Sequence, residues 1–298
     1  MGRNNAHGVG RWQLSPAIRQ IVVVACLYGL LAWGGITLTE DTGRIAALWL
    51  PNAMLVAVLL GPFRTDARLS YAGCYMANVV AALLIGDELF VALALSACNI
   101  VEVAIVVASM RARKLHRPDV SRLPDLVTLT LAGGVLAPLV SATLAIFTIA
   151  VATGQLDAAV WRSWYAADAL GMIIAAPVLL VLMHARKRSA WNEASTAEIG
   201  LLLSLVTCAC VVLFLQNSYP LLFIAAPFVV LAAFRLGAPG AAVSIILVAA
   251  VSAIATALDS GPITLVKGNI HDRLIVLQLF LATSFLTALP VAAAVTEQ

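Results

Sequence analysis

The chain has 298 residues, of which 62% are hydrophobic and 11% are charged, and its formal net charge is +3. Soluble domains contain roughly 45–50% apolar and about 25% charged residues. A chain of this composition cannot hide its apolar surface from water, so we expect it to lie in a lipid bilayer. It has no basic groove interleaved with aromatic residues, which argues against nucleic acid as a partner.

The first 16 residues are polar and are predicted to form a disordered cytoplasmic tail, residues 1–16. Residues 17–298 are predicted to form a single transmembrane domain. No small-residue cleavage site follows the first apolar run, so we interpret this run as an uncleaved span rather than a secretory signal. No polar block is long enough for a separate catalytic domain.

Apolar runs without strand alternation follow one another along the chain and predict an all-α, polytopic helical bundle. In order, they cover roughly residues 18–38, 46–60, 69–84, 89–110, 124–151, 166–183, 198–215, 220–234, 240–257 and 274–296. The runs at 46–60, 69–84 and 220–234 are short for a span, which indicates helices that are broken or shielded by their neighbours.

The basic residues favour one topology. If the N-terminus is cytoplasmic and every run crosses the membrane, the inner segments hold fourteen of the eighteen basic residues. The outer segments hold the other four, which are Arg44, Arg162, Lys267 and Arg273. This bias predicts about ten spans with both termini in the cytoplasm. Eight spans plus a re-entrant hairpin is the alternative.

The first polar interruption of these runs is Leu48-Trp49-Leu50-Pro51-Asn52. Pro51 lacks an amide donor and is expected to open the helix near the outer end of the second span. Asn52 is predicted to fill the vacated position or to bind a ligand group, and Trp49 suits an interfacial depth. A simple kink beside an interfacial tryptophan is the alternative interpretation.

The second interruption is Asn99 with Glu102, three residues apart on one face of the fourth span. No lysine or arginine lies in an apolar run at that depth, so the partner of Glu102 is predicted to be an amide, a hydroxyl, a carbonyl freed by proline, or a ligand. Asn78 on the third span is the best intramembrane candidate. A neutral Glu102 that joins helices as structural glue is the alternative.

The third interruption is Trp161-x-x-Trp164-x-x-x-Asp168-x-x-Gly171, whose spacing places all four residues on one helical face. Two indoles and a carboxylate at the outer membrane boundary suit a small apolar or cationic ligand. An aromatic belt with a capping aspartate fits the same pattern.

Catalytic and cofactor signatures are missing from the sequence. It has no glycine-rich phosphate-binding motif, its five cysteines lie in apolar runs without zinc spacing, and its four histidines lie in tails or loops. We therefore predict no catalytic cluster, no metal and no cofactor, and hence no enzymatic activity in this chain.

In these motifs the chain resembles the first type of bacterial membrane-associated sensor (MASE) domains. Leu48-Trp49-Leu50-Pro51-Asn52 is similar to the family's Trp-Pro-Pro-Asn-Gly motif, with Leu50 and Ala53 as departures. The order and spacing of the further matching positions agree over roughly residues 45–180. These positions are Gly61, Arg68, Asn78, Asn99, Glu102, Trp161, Trp164, Asp168, Gly171 and Pro177.

The resemblance implies a multi-pass sensory input domain of a bacterial inner membrane, which detects a small ligand or a membrane state. Such domains precede cytoplasmic output modules of the GGDEF, EAL, PAS or histidine kinase type, acting in cis or in trans, and a homodimer is compatible with them. The alternative function is a small-molecule transporter or uptake component. A membrane enzyme would need a catalytic cluster that the sequence lacks.

Overall fold

The computed structural model describes residues 15–37, 48–63, 65–120, 122–184, 193–268 and 270–297. The predicted tail therefore lies almost wholly outside the described residues. The described part is helical and contains no strand. Its α-helices are α1 (Pro16–Thr37), α2 (Leu50–Leu60), α3 (Ala67–Leu84), α4 (Leu89–Ala112), α5 (Leu123–Leu131), α6 (Ala137–Thr153), α7 (Ala158–His184), α8 (Thr196–Leu215), α9 (Ala225–Ala257) and α10 (Ile270–Glu297).

Six helical stretches among the described residues are long and apolar enough to cross a membrane. Their outer faces carry large apolar side chains such as Leu30, Val151 and Val212, which are 64%, 75% and 69% exposed. Such faces are unfavourable in water and favourable against lipid tails. The prediction of a helical membrane protein is confirmed.

Helix α1 contacts the bundle along one narrow stripe. Its buried residues, Val24, Tyr28 and Ala32, recur every four residues and so lie on one face. Small residues let α1 and α3 approach closely, because a Cβ added to Gly29 would come 3.3 Å from the Cβ of Ala77. This close packing carries the Tyr28 side chain into the centre of the bundle, where it is fully buried.

Helix α2 is short and central. It has 11 residues, which corresponds to a length of about 16 Å at 1.5 Å per residue. The Trp49 amide just before it donates to the carbonyl of Ala167 at 3.0 Å, nine residues into α7 and so about 14 Å along that helix. The helix therefore begins deep within the bundle, not near its edge.

This position corrects two sequence predictions. Trp49 is not exposed at the end of a span, as expected of an interfacial tryptophan, since it contacts α7 nine residues after the start of that helix and is 9% exposed. Pro51 does not kink a longer helix, since it stands in the first turn of α2, where its missing N–H has no intrahelical partner to lose. The apolar run from residue 46 predicted an earlier start: residues 48 and 49 precede the helix, and residues 46 and 47 lie outside the described residues.

Helices α5 and α6 form one continuous apolar stretch with a π-helical turn, Ala132–Leu136, between them. A π turn leaves a backbone carbonyl without its usual helical partner, and the hydroxyl of Tyr165 on α7 donates to the carbonyl of Gly134 at 3.1 Å. Gly133 also lies directly against Met172 of α7. These contacts hold the π turn against α7, seven to eight residues before Ser141.

Helix α9 is interrupted at Gly237, whose backbone angles are φ 66° and ψ −159°. A Cβ added to Gly240 would come 2.8 Å from the carbonyl oxygen of Ala232, eight residues earlier, whereas eight residues of straight helix span about 12 Å. The two arms, residues 225–236 and 238–257, therefore fold back on each other. Arg235 reaches Glu198 at the start of α8, and Ser260 reaches the carbonyl of Phe214 near its end.

Candidate functional site

The side chain of Asn52 joins three helices at the centre of the bundle. Its Oδ1 accepts a hydrogen bond from the Tyr28 hydroxyl at 2.6 Å. Its Nδ2 donates to Glu102 Oε2 at 2.6 Å and to Asn99 Oδ1 at 3.2 Å. All four residues are buried, so this network links α1, α2 and α4 where unsatisfied polar groups are costly.

The prediction of Asn78 as the partner of Glu102 is therefore wrong. Its carboxylate binds the amide of Asn52, not that of Asn78. Glu102 is fully buried, and its second oxygen, Oε1, accepts no hydrogen bond from an N–H or hydroxyl donor of the described residues. The carboxyl group therefore keeps an unused acceptor inside the bundle.

A second carboxyl group, that of Asp168, lies beside Glu102. The two side chains are close enough to interact electrostatically, and two like charges at close range disfavour each other. Asp168 is 3% exposed. The sequence placed it at the outer boundary, whereas the structure places it inside the bundle, ten residues after the first residue of α7.

Ser141 on α6 connects Asp168 to an indole ring. Its hydroxyl donates to Asp168 Oδ2 at 3.1 Å and accepts from Trp164 Nε1 at 3.1 Å. Ser141 is fully buried. The bonds hold the Trp164 ring by its only polar atom, so the rest of the ring is free to serve as an apolar or π surface.

A cavity of about 570 Å³ lies between these groups and one end of the bundle. Gly86, Asp87 and Glu88, which follow α3, and Thr153 at the end of α6 lie at its mouth. Deeper wall residues are Trp49, Asn78, Ser96, Asn99, Trp164 and Asp168. Pockets for small molecules commonly measure about 300–1,000 Å³ and are mostly apolar with a few polar groups, and this cavity agrees with that description.

Two polar groups of the wall are unpartnered. Trp49 Nε1 is buried and has no hydrogen-bond partner among the residues that the structure describes. The Asn78 side chain is 3% exposed and makes no hydrogen bond within the described part of the chain. Buried polar groups are normally satisfied by protein, water or ligand, so the wall offers at least these two groups to an occupant of the cavity.

The sequence-predicted residues thus fall into three sets. Trp49, Asn78, Asn99, Trp164 and Asp168 line the cavity. Asn52 and Glu102 lie behind the floor of the cavity. Pro51 and Gly171 lie where the start of α2 packs against α7.

Trp161 does not join them, although helical spacing placed it on the same face. Its ring stacks on Tyr165, with centroids 5.3 Å apart, and its Nε1 donates to Thr143 at 3.2 Å.

Sequence reasoning missed Tyr28, Ser96 and Ser141. Each is a single residue in an apolar run, and serine or tyrosine in such a run usually bonds to nearby backbone or marks the interface. The four-residue spacing of Val24, Tyr28 and Ala32 was the available signal for Tyr28. Among the described residues, no group of three or more His, Cys, Asp or Glu side chains could hold a metal ion.

The helices, the lipid-facing surface and the polar cavity define an integral membrane protein built as a helical bundle around a candidate small-molecule site. The MASE1 family model matches residues 20–298, so the chain belongs to the MASE1 family of membrane sensory domains. The match extends well beyond residues 45–180, where the motifs lie. No curated protein and no solved structure matches the chain.

Proposed function

We propose that this chain is a sensory input domain that detects a small molecule in the cavity and passes the signal to a cytoplasmic output module. One observation carries the proposal: the cavity wall and the Asn52 network share side chains. Asn99 lines the cavity and bonds to Asn52, and Asp168 lines the cavity close to Glu102, which also bonds to Asn52. An occupant that binds Asn99 or Asp168 changes the environment of the hydrogen bonds that join α1, α2 and α4.

The energy available for signalling is the difference in ligand affinity between two packing states. Helix α7 contacts both α9 and α10, so a shift of α7 reaches the last helix of the chain. We propose that α10 carries the shift to a GGDEF, EAL, PAS or histidine kinase module in the cytoplasm. In this scheme the chain has no catalytic role of its own. A homodimer of the chain would bring together two copies of an output module that acts as a dimer.

We further propose that the chain crosses a bacterial inner membrane ten times, with both termini on the cytoplasmic side. The fourteen-to-four distribution of basic residues supports it. The fold-back at Gly237 supports counting the two arms of α9 as separate crossings, because Arg235 reaches one end of α8 and Ser260 reaches the other. The cavity mouth, between α3 and α4 and beside the end of α6, then faces outward.

The test is a fusion of the whole chain to a diguanylate cyclase, with cellular cyclic-di-GMP as the output. Glu102→Gln and Asp168→Asn are expected to change the output by at least about twofold without loss of membrane insertion, because each alters a buried hydrogen bond worth about 1 kcal/mol. Asp157→Asn is the control, because Asp157 is exposed and caps α7 through the Ala159 amide at 2.7 Å. Unchanged output in both variants would contradict the proposal.

A transporter is the second candidate, favoured by two observations. Helix α2 begins in the middle of the bundle, and α9 is broken at Gly237; transporters often bind substrates at such discontinuous helices. Uptake by proteoliposomes separates the two functions, since a sensor is expected to bind its ligand without moving it across the membrane.

A further inference from the structure

The charged residues that line the cavity, within the described part of the chain, are all acidic. Asp168 lies in its deep wall, and Glu88 lies exposed at its mouth. None of the described residues that line the cavity is a lysine or an arginine. Acidic side chains at the mouth and in the deep wall favour cations over anions at these positions.

Glu102 and Asp168 have no counter-ion among the residues that the structure describes. The ion pairs of the described residues involve Arg122, Arg235 and Arg273, and none includes Glu102 or Asp168. The hydrogen-bond donors to the two carboxyl groups are neutral: Asn52 donates to Glu102, and Ser141 donates to Asp168. Buried charges in proteins are normally paired, so a cation in the cavity would supply the missing partner.

The wall also carries the aromatic surface that organic cations prefer. Trp49 and Trp164 both line the cavity. The Trp164 Nε1 is already bonded to Ser141, which leaves its ring for an occupant. Indole rings attract ammonium groups through their π electrons, most strongly where water is excluded.

We propose that the cavity binds a small organic ammonium compound, with Asp168 as its counter-charge and the two indoles as its walls. This inference rests on the proposed function, since it names the ligand class of the same site. A bare metal ion is a poor match for about 570 Å³ of cavity bounded by indoles. The unpartnered Asn78 amide and Trp49 Nε1 suit a hydroxyl or carbonyl elsewhere on the compound.

The test uses the purified full chain in lipid nanodiscs. Choline and tetraethylammonium are titrated as probes, with 3,3-dimethylbutan-1-ol as the neutral isostere of choline and acetate as the anion. Thermal unfolding and tryptophan fluorescence report binding. We expect saturable stabilisation by at least one ammonium compound and none by the neutral isostere or acetate.

Variants locate the site. Asp168→Asn is expected to weaken ammonium binding about tenfold or more, which corresponds to 1.4 kcal/mol. Asp157→Asn removes a charge outside the cavity and is expected to leave the dissociation constant unchanged. If Asp168→Asn does not fold, Trp164→Phe makes the same comparison, with Trp161→Phe as its control.

Equal stabilisation by the neutral isostere would overturn the ammonium proposal, and so would stabilisation by no ammonium probe. Ammonium binding that Asp168→Asn and Trp164→Phe leave unchanged would overturn it too, by placing the cation elsewhere. The sensory role is tested separately by the cyclase fusion, which needs no added ligand, so either proposal can fail alone.

Discussion

Gly171 of α7 lies directly against the backbone of Trp49. A Cβ added to Gly171 would come 2.8 Å from the Trp49 carbonyl carbon and 3.0 Å from its nitrogen, and still closer to its carbonyl oxygen. Real Cβ atoms essentially never approach backbone so closely. The absence of a side chain at Gly171 is therefore what lets the first turn of α2 rest on α7 at the cavity floor.

Gly171→Ala is expected to push α2 away from α7 and to destabilise the fold by about 1–3 kcal/mol, as overpacking does in close-packed cores. Unfolding titrations in mixed detergent micelles measure this. Gly200→Ala is the control, because Gly200 is exposed on α8 with nothing within 4 Å of an added Cβ. There we expect no loss and a gain of up to about 1 kcal/mol from helix propensity. Equal effects would refute the packing role of Gly171.

Tyr28 and Asn52 are expected to be energetically coupled. Tyr28→Phe removes the hydroxyl that donates to Asn52 Oδ1 and is expected to lower the free energy of unfolding by about 1–2 kcal/mol. In a double-mutant cycle with Asn52→Ala, the coupling is expected to be about 0.5–3 kcal/mol. Strictly additive effects would mean that the hydrogen bond contributes nothing.

Ser141 is expected to matter more than a serine that bonds only to its own helix. Ser141→Ala removes the link between Trp164 and Asp168 and is expected to destabilise the fold by about 1–3 kcal/mol, because it leaves a buried donor and acceptor unmatched. The control is Ser163→Ala, since the Ser163 hydroxyl donates to the Ala159 carbonyl one turn earlier. A change within about 0.5 kcal/mol is expected there. A larger loss from Ser163→Ala than from Ser141→Ala would contradict the network.

The topology can be read by cysteine labelling in a variant that lacks the five native cysteines. A membrane-impermeant maleimide is expected to label Asp157→Cys in intact cells and to label Arg117→Cys only after lysis. Both positions are exposed in the structure, so access depends on the side of the membrane alone. The reverse pattern would exclude an N-terminus inside the cell.

The sequence predicted helices and several site residues because two signals are local. Long apolar runs determine the membrane-spanning helices, and amides or carboxyl groups within them are rare enough to stand out, as Asn52, Asn99 and Glu102 do. The family resemblance was likewise carried by local motifs. These local patterns do not depend on which helices contact each other in the folded chain.

Depth and pairing were not predictable in this way. Trp49 was placed at an interface because tryptophan usually lies there, whereas its depth is set by contact with Ala167 and Gly171, more than 110 residues later in the sequence. Asn78 and Asn52 are equally good partners for Glu102 by residue type, and only the packing of α2 against α4 selects Asn52. Trp161 shares a helical face with Trp164 but turns to Thr143.

The most direct test of the account is to fill the cavity in the cyclase fusion. Ser163→Phe places a ring in the wall of the cavity, while Val151→Phe adds the same ring at a lipid-facing position that is 75% exposed. The two variants are compared at equal levels in the membrane. Ser163→Phe is predicted to change cyclic-di-GMP at least about twofold, which corresponds to a shift of about 0.4 kcal/mol between packing states. Val151→Phe is predicted to give the same cyclic-di-GMP level as the parent fusion. Identical output from all three proteins would contradict a signalling role for the cavity.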